Sequence, residues 1–191
     1  LITVCLLPTP VAQVALQDGV TLGRWPRRLR VMYTGGDKLH PPPACTLPFR
    51  FDNHYGPSEA TIISTFHVLN DAIEAGSEDA PPIGKPCGNY QCYILHPKTR
   101  QILPPGVAGE LCIGGNSLAR GYLGRPQLTS EKFFPIPPAL QLLGVPGTRL
   151  YATGDLCKYG KYGMGNTGNT GSNTGSNTGS TGTKGAGTGG G

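Results

Sequence analysis

The chain has 191 residues, 14% of them charged, with a formal net charge of +5. No stretch reaches the roughly 18 consecutive apolar residues that a membrane-spanning helix requires, which excludes a helical membrane protein. Residues 1–157 carry 13 basic and 11 acidic side chains, so most of the excess charge lies in the tail and no nucleic-acid partner is indicated.

The opening segment, LITVCLLP, has no basic stretch before it and no small-residue cleavage site after it, so it does not read as a secretory signal. Leu1–Leu7 is a continuous apolar run of strand length, the pattern of a buried parallel strand. Thr9 then offers an N-cap and Pro10 a first helical position for a short helix over VAQVALQ. Arg24, Arg27, Arg28 and Arg30 surround Trp25 in what reads as a solvated loop. A second strand, Leu29–Thr34, runs into Gly35-Gly36-Asp37, and a third, Phe49–His54, runs into Tyr55-Gly56-Pro57. Strands separated by helix or loop predict a parallel sheet, and ligands of such sheets sit beyond the carboxyl ends of the strands. Glycines meet polar residues at the ends of strands two and three, where bare backbone can approach a ligand.

After about Pro81 the texture changes to short alternating strands: QCYIL, GELCIGG and RLYATGDL, with Pro104-Pro105-Gly106 as a tight turn. This half predicts antiparallel sheet or a small barrel. Thr129 or Ser130 is expected to cap a short helix carrying EKFF. From Gly165 to Gly191, 25 of 27 residues are Gly, Thr, Asn or Ser in slipping repeats. Nothing there can be buried, so no core offsets the ordering entropy, and a flexible tail is expected. The six cysteines are scattered, four of them in or beside apolar runs, which predicts free thiols in a reducing, cytoplasmic compartment. The spacing of Cys87, Cys92 and His96 lacks the paired pattern of zinc sites.

Four segments have to be weighed for chemistry. Asn53-His54-Tyr55-Gly56-Pro57-Ser58-Glu59 places an amide, an aromatic ring, a hydroxyl and a carboxylate at one strand exit. An aromatic face can stack on a base, and a carboxylate can hold a hard cation. Tyr151-Ala152-Thr153-Gly154-Asp155-Leu156 ends in a turn acid able to accept both hydroxyls of a ribose. Gly35-Gly36-Asp37 is a third such exit, while GELCIGG followed by LARGYL reads mainly as structure, with Tyr122 a packing tyrosine. Alone, each segment reads better as an ordinary turn or strand end.

Their joint order is more specific. LLPTP, TGGDKL, NHYGPSEAT, GELCIGG…LARGYLGRPQLTSEKF and YATGDL, over residues 1 to about 157, closely resemble the adenylation domain of nonribosomal peptide synthetases. The wider group is the AMP-forming acyl and aryl ligases. The resemblance implies an α/β fold that is part of the large N-terminal domain of such a ligase. Residues 1–95 would form an αβ portion with the nucleotide and substrate pocket, 96–157 an antiparallel, barrel-like portion, and 158–191 a disordered Gly-rich tail. It also implies activation of an amino acid by ATP and Mg2+, giving aminoacyl-AMP and pyrophosphate. The acyl group then passes to phosphopantetheine on a carrier domain, with condensation domains as further partners.

Residue by residue, the resemblance implies that Gly35, Gly36 and Asp37 line the nucleotide pocket and that Asn53 holds the amino edge of adenine. Tyr55 would stack on the base between His54 and Gly56. Ser58, where the family usually has threonine, would reach the α-phosphate, Glu59 would hold magnesium, and Asp155 would bind the ribose. Leu6, Met32, Thr34, His54, Ile62 and Ile63 would shape the amino-acid pocket, favouring a medium or large side chain with some polarity. The family's lysine-bearing phosphate loop and its second lysine match nothing in these residues, and Ala152 replaces a basic residue usual before TGD. The fragment alone is therefore expected to be inactive, with an uncovered sheet edge at its start. An acyl-CoA or aryl-acid ligase fragment, or a relic that at most binds nucleotide, remains the alternative.

Overall fold

A computed structural model describes residues 2–40, 46–69, 80–160 and the backbone of 167–169. The chain opens on β1 (Val4–Pro8), α1 (Thr9–Leu22), β2 (Val31–Gly35) and β3 (Arg50–Tyr55). A 3-10 turn (Ser58–Ala60), β4 (Thr65–Val68) and β5 (Lys85–Pro86) follow. These strands form one sheet in the order β1-β2-β3-β4-β5. The first three are parallel, as the alternation of strand and helix predicts, while β4 and β5 run antiparallel. The helix α1 buries Thr9, Ala12, Leu16 and Gly19, a stripe at helical spacing. It packs on Met32, Phe49 and Phe51, and Trp25 caps this core edge-on to Phe49 at 5.4 Å.

The second sheet holds β6 (Tyr90–Leu95), β7 (Gly109–Gly115), β8 (Phe133–Pro135), β9 (Arg149–Tyr159) and β10 (Thr167–Asn169). Its order is β10-β9-β7-β6, with β8 also on β9, and every pairing is antiparallel. Two short helices, α2 (Pro126–Lys132) and α3 (Pro138–Leu142), flank β8. The strand β7 is buried along six of its seven residues. Leu111 and Ile113 enter one apolar cluster with Ile94 and Cys157. Cys112 enters another with Leu95, Leu140 and Leu150.

Several local expectations change. The first strand is not buried but lies at a sheet edge, with Val4 52% and Leu6 60% exposed. Only its other face, Cys5 and Leu7, meets the core under α1. GELCIGG does not alternate, because both of its faces are covered. Thr9 does not cap α1. It is inside the helix, and its hydroxyl donates to the Asp37 carbonyl at 3.2 Å, tying the helix start to the end of β2. Neither Thr129 nor Ser130 caps α2, which begins at Pro126 after Arg125, and Phe133-Phe134 leave the helix for β8. The first strand of the antiparallel sheet, β6, lies before residue 96, and β9 runs on to Tyr159. Most of the repeat tail lies outside the described residues. Five cysteines are free thiols, Cys112 and Cys157 buried, and Cys45 lies outside the described residues. Among the described residues no helix is long and apolar enough to cross a membrane.

Candidate functional site

The site begins where β3 ends. Beyond Tyr55 the chain turns through Gly56-Pro57 into Ser58–Ala60, closed by Ala60 N–H donating to the Pro57 carbonyl at 3.0 Å. Ser64 N–H returns to the Tyr55 carbonyl at 2.8 Å. Thr61 and Ile62 leave this turn at φ 54° and 69°. Left-handed backbone is strained for β-branched residues and is held only where surrounding contacts over-determine it. The neighbouring exit, from β2, is Gly35-Gly36. A Cβ on Gly35 would stand 2.6 Å from the His54 carbonyl, and Gly36 has φ +94°. Only glycine passes both points without strain.

Between these exits and β1 lies a cavity of about 410 Å³ lined by Leu6, Leu7, Pro8, Gly35, Gly36, His54, Gly56, Ile62 and Ile63. Seven of those residues are expected site residues; Leu7 and Pro8 are additions. Leu6 and Ile62 are 60% and 69% exposed, so much of the wall is open. Met32 and Thr34 do not line this cavity. They share the opposite face of β2, where Met32 packs in the core under α1 and the Thr34 hydroxyl donates to the Leu7 carbonyl at 3.1 Å. Two-residue strand periodicity explains the difference, since Gly35 faces the cavity and its neighbour Thr34 faces away.

His54 is the polar element of the wall. Its ring stacks on Tyr33 at 4.8 Å and meets Phe66 edge-on at 6.4 Å. Its Nε2 lies 3.9 Å from Asp52, which also pairs with Arg50 through two hydrogen bonds of 2.8 and 2.7 Å. Burial lowers the imidazole pKa below its ordinary value, Asp52 partly opposing and Arg50 adding to the effect. The ring is thus predominantly neutral at pH 7. Its Nδ1 is buried without a hydrogen-bond partner.

Two long-range hydrogen bonds draw the motifs together. The Tyr55 hydroxyl donates to Asp155 Oδ2 at 2.5 Å across a hundred residues. Burial, reinforced by the Asp155 charge, pushes the Tyr55 phenol well up, so it remains a donor. Asp155 is set by its own N–H on Thr153 Oγ1 at 3.0 Å, and Gly154 N–H reaches Glu110 at 3.1 Å. The second bond runs from the Tyr122 hydroxyl to Glu59 Oε1 at 2.6 Å. Tyr151 stands 3.4 Å from the same hydroxyl. Burial alone would raise the Glu59 carboxyl, but hydrogen bonds from Tyr122, its own backbone and Tyr151, with Lys132 nearby, outweigh it and hold the pKa below the ordinary value.

The remaining expected residues sit apart from the cavity lining. Asn53 is buried, and its amide donates to the Pro82 carbonyl at 3.1 Å. Asp37 accepts the Lys38 N–H at 2.7 Å and so shapes its own loop. Ser58 is exposed at the start of the 3-10 turn. Tyr122 and Tyr151 are contacts that the sequence reading missed, and no local signal marks a tyrosine as the partner of a carboxylate 63 positions away. Among the described residues no three His, Cys, Asp or Glu side chains converge as a metal cage. A single carboxylate still fits magnesium, which is commonly held by one or two carboxylates plus substrate phosphates.

Comparison with known proteins agrees with this fold. Residues 2–123 match the family model described as AMP-binding enzyme. A linear gramicidin synthase polypeptide of Brevibacillus parabrevis is 48% identical over 160 residues, which is 83% of this chain and 2% of that protein. Bacitracin synthase 1 of Bacillus licheniformis is 42% identical over 159 residues, 82% of this chain and 3% of its own length. The chain thus spans a few per cent of these curated relatives. A solved structure of holo-PA1221, a nonribosomal peptide synthetase protein containing adenylation and PCP domains, superposes with a TM-score of 0.68 at 28% identity, over 86% of this chain and 28% of that one. The N-terminal subdomain of Klebsiella oxytoca NpsA shares the fold at TM-score 0.72 and 23% identity, over 88% of this chain and 41% of that one. Motifs, fold and relatives converge: the chain belongs to the AMP-binding enzyme family and is homologous to part of the adenylation domains of nonribosomal peptide synthetases.

Proposed function

We propose that this chain forms the nucleotide- and substrate-binding part of an amino-acid-activating adenylation domain. The full enzyme would join an amino acid to ATP, release pyrophosphate, and hand the aminoacyl group to phosphopantetheine on a carrier domain, beside condensation domains, in the cytoplasm. The observation that carries this reading is the 2.5 Å bond from Tyr55 to Asp155. It brings the base-stacking candidate and the ribose-binding candidate to one place, next to the cavity at the strand ends. Gly35 and Gly36 offer bare backbone to the nucleotide, and Tyr55 offers a ring held in place by its hydroxyl.

Glu59 would hold magnesium, whose charge, when bound, neutralises the phosphates during attack by the substrate carboxylate. The chain's own contribution is to present one anionic carboxylate and a fixed cavity, which is positioning rather than covalent chemistry. With Met32 and Thr34 turned away, Leu6, His54, Ile62 and Ile63 would meet the substrate side chain, which favours a medium or large group with some polarity to face the His54 imidazole. Ser58 would reach the α-phosphate, and Asn53 and Asp37 would contribute from the edges of the nucleotide pocket.

The test is equilibrium binding of ATP to the 191-residue chain with and without Mg2+. Magnesium-dependent binding is expected, weakened about 10-fold or more by Asp155→Ala, since a hydrogen bond to a charged group contributes about 1.5–3 kcal/mol. No binding at millimolar Mg-ATP, or an Asp155→Ala variant that binds as the parent does, would overturn the reading. Amino-acid-dependent pyrophosphate exchange by these residues alone is expected to be undetectable, because the two lysines of the family's reaction match no residue in them.

A further inference from the structure

We infer that Tyr122 is a positioning residue for Glu59, and that the 117–122 loop clasps the Ser58–Ile62 turn to aim its carboxylate. The inference rests on the reading of Glu59 as the metal-holding carboxylate proposed above.

Three bonds cross from loop to turn. Ala119 N–H donates to the Glu59 carbonyl at 2.7 Å, the Thr61 hydroxyl donates to the Ser117 carbonyl at 2.7 Å, and the Tyr122 hydroxyl donates to Glu59 Oε1 at 2.6 Å. The first two hold the strained backbone at Thr61 and Ile62; the third holds the functional group itself. A glutamate on a short turn otherwise has about three rotatable bonds and little to fix them. Magnesium demands near-ideal octahedral geometry, so a carboxylate held in one orientation serves it better than a wandering one.

The clasp is itself anchored. Tyr122 N–H donates to Thr129 Oγ1 at 2.9 Å, which joins the loop to α2. Arg149 donates to the carbonyls of Ala119 and Arg120 at 2.7 and 2.9 Å and lies over the Phe133 ring. The Tyr122 ring packs edge-on to Phe133 at 5.8 Å, and Phe133 packs on Tyr151 at 4.9 Å. Gly121 leaves no room for a side chain, since a Cβ there would stand 2.3 Å from Thr129 Cγ2. The loop that precedes α2 thus reaches the Glu59 carboxylate through one hydroxyl.

The test uses the full 191-residue chain with ATP and Mn2+ as a spectroscopic stand-in for Mg2+. Metal affinity of the nucleotide complex is read by electron paramagnetic resonance, metal-free ATP affinity by fluorescence, and stability by urea unfolding. Tyr122→Phe keeps the ring against Phe133 and removes only the hydroxyl. It is expected to weaken Mn2+ about 10-fold while leaving metal-free ATP affinity within about 2-fold. Thr61→Val breaks a different bond of the clasp and is expected to lower the urea midpoint with little change in Mn2+ affinity. Glu59→Gln is the reference and should abolish the metal dependence. If Glu59→Gln leaves that dependence intact, the assignment of Glu59 fails and the positioning role that rests on it is overturned with it. If Glu59→Gln abolishes it and Tyr122→Phe retains parental Mn2+ affinity, Tyr122 is only a staple and the inference is overturned. Should Tyr122→Phe not fold, Thr129→Val, which removes the acceptor of the Tyr122 N–H and so loosens the loop that carries the hydroxyl, decides: a loss of about 2–3-fold in Mn2+ affinity supports the clasp and no loss refutes it.

Discussion

The strands β1 and β7 have similarly apolar sequences and opposite situations. The first, VCLLP, has one neighbouring strand and a helix on one face, which leaves Val4 and Leu6 more than half exposed. The second, GELCIGG, has a neighbour on each side and an apolar cluster on each face, so even Glu110 is buried. Apolar character alone therefore did not determine burial; the number of covered faces did. The open strand is also the one that walls the cavity, so an occupant there would cover apolar surface that the protein leaves bare. The closed strand supplies rigidity: Leu111 and Glu110 on β7 hold Thr153 and Gly154, the residues just before Asp155.

This contrast can be broken most directly by truncating both strands. Leu111→Ala in β7 is expected to destabilise the chain by about 2–5 kcal/mol, the range for emptying a sealed core site. Val4→Ala in β1 should change stability by less than about 0.5 kcal/mol, as at an exposed position. Urea unfolding measures both, and equal losses would erase the distinction. A smaller effect is expected at Glu110, whose carboxylate pairs with Arg100 and receives Gly154 N–H. Glu110→Gln leaves Arg100 less well paired and should lower stability by about 1–3 kcal/mol. ATP affinity should fall with it if β7 does set Asp155; unchanged affinity would separate scaffold from site.

The smallest effect is one of pH. Burial is the leading cause that lowers the pKa of both His54 and His67, in the first sheet, below the ordinary 6.5. An imidazole that binds its proton less well when folded takes up more protons unfolded, so stability rises with pH across this window. The contribution is complete above about pH 6.5 and is lost as pH falls through the folded values. Thermal melts at about pH 7.5 and 5.5 should show a drop that shrinks in a His54→Gln/His67→Gln variant. An unchanged drop would place the sensitivity elsewhere.

Much of this organisation was legible in the residues themselves. Alternation of strand and helix before Pro81 announced the parallel pairing of β1, β2 and β3, and short strands set off by Gly and Pro after it announced the antiparallel sheet. Gly35-Gly36 and Tyr55-Gly56-Pro57 announced the strand exits where the cavity lies. The helix start was misjudged because Thr9 had a better partner in the Asp37 carbonyl than in its own helix. Met32 and Thr34 fall outside the cavity lining because a motif records order along the chain, whereas strand pleating sends neighbours to opposite faces. Tyr122 was read as packing because only the folded chain brings it to Glu59.

By itself, then, the sequence determined the order of elements, the family to which they belong and the polar residues at each strand exit, since these follow from local periodicity and turn chemistry. The tertiary structure alone decided which of those residues share a surface, which face of β2 meets the cavity, and which hydroxyls hold Asp155 and Glu59. Those outcomes depend on contacts between residues 63 and 100 positions apart, whose energies exist only after the two sheets have formed and packed.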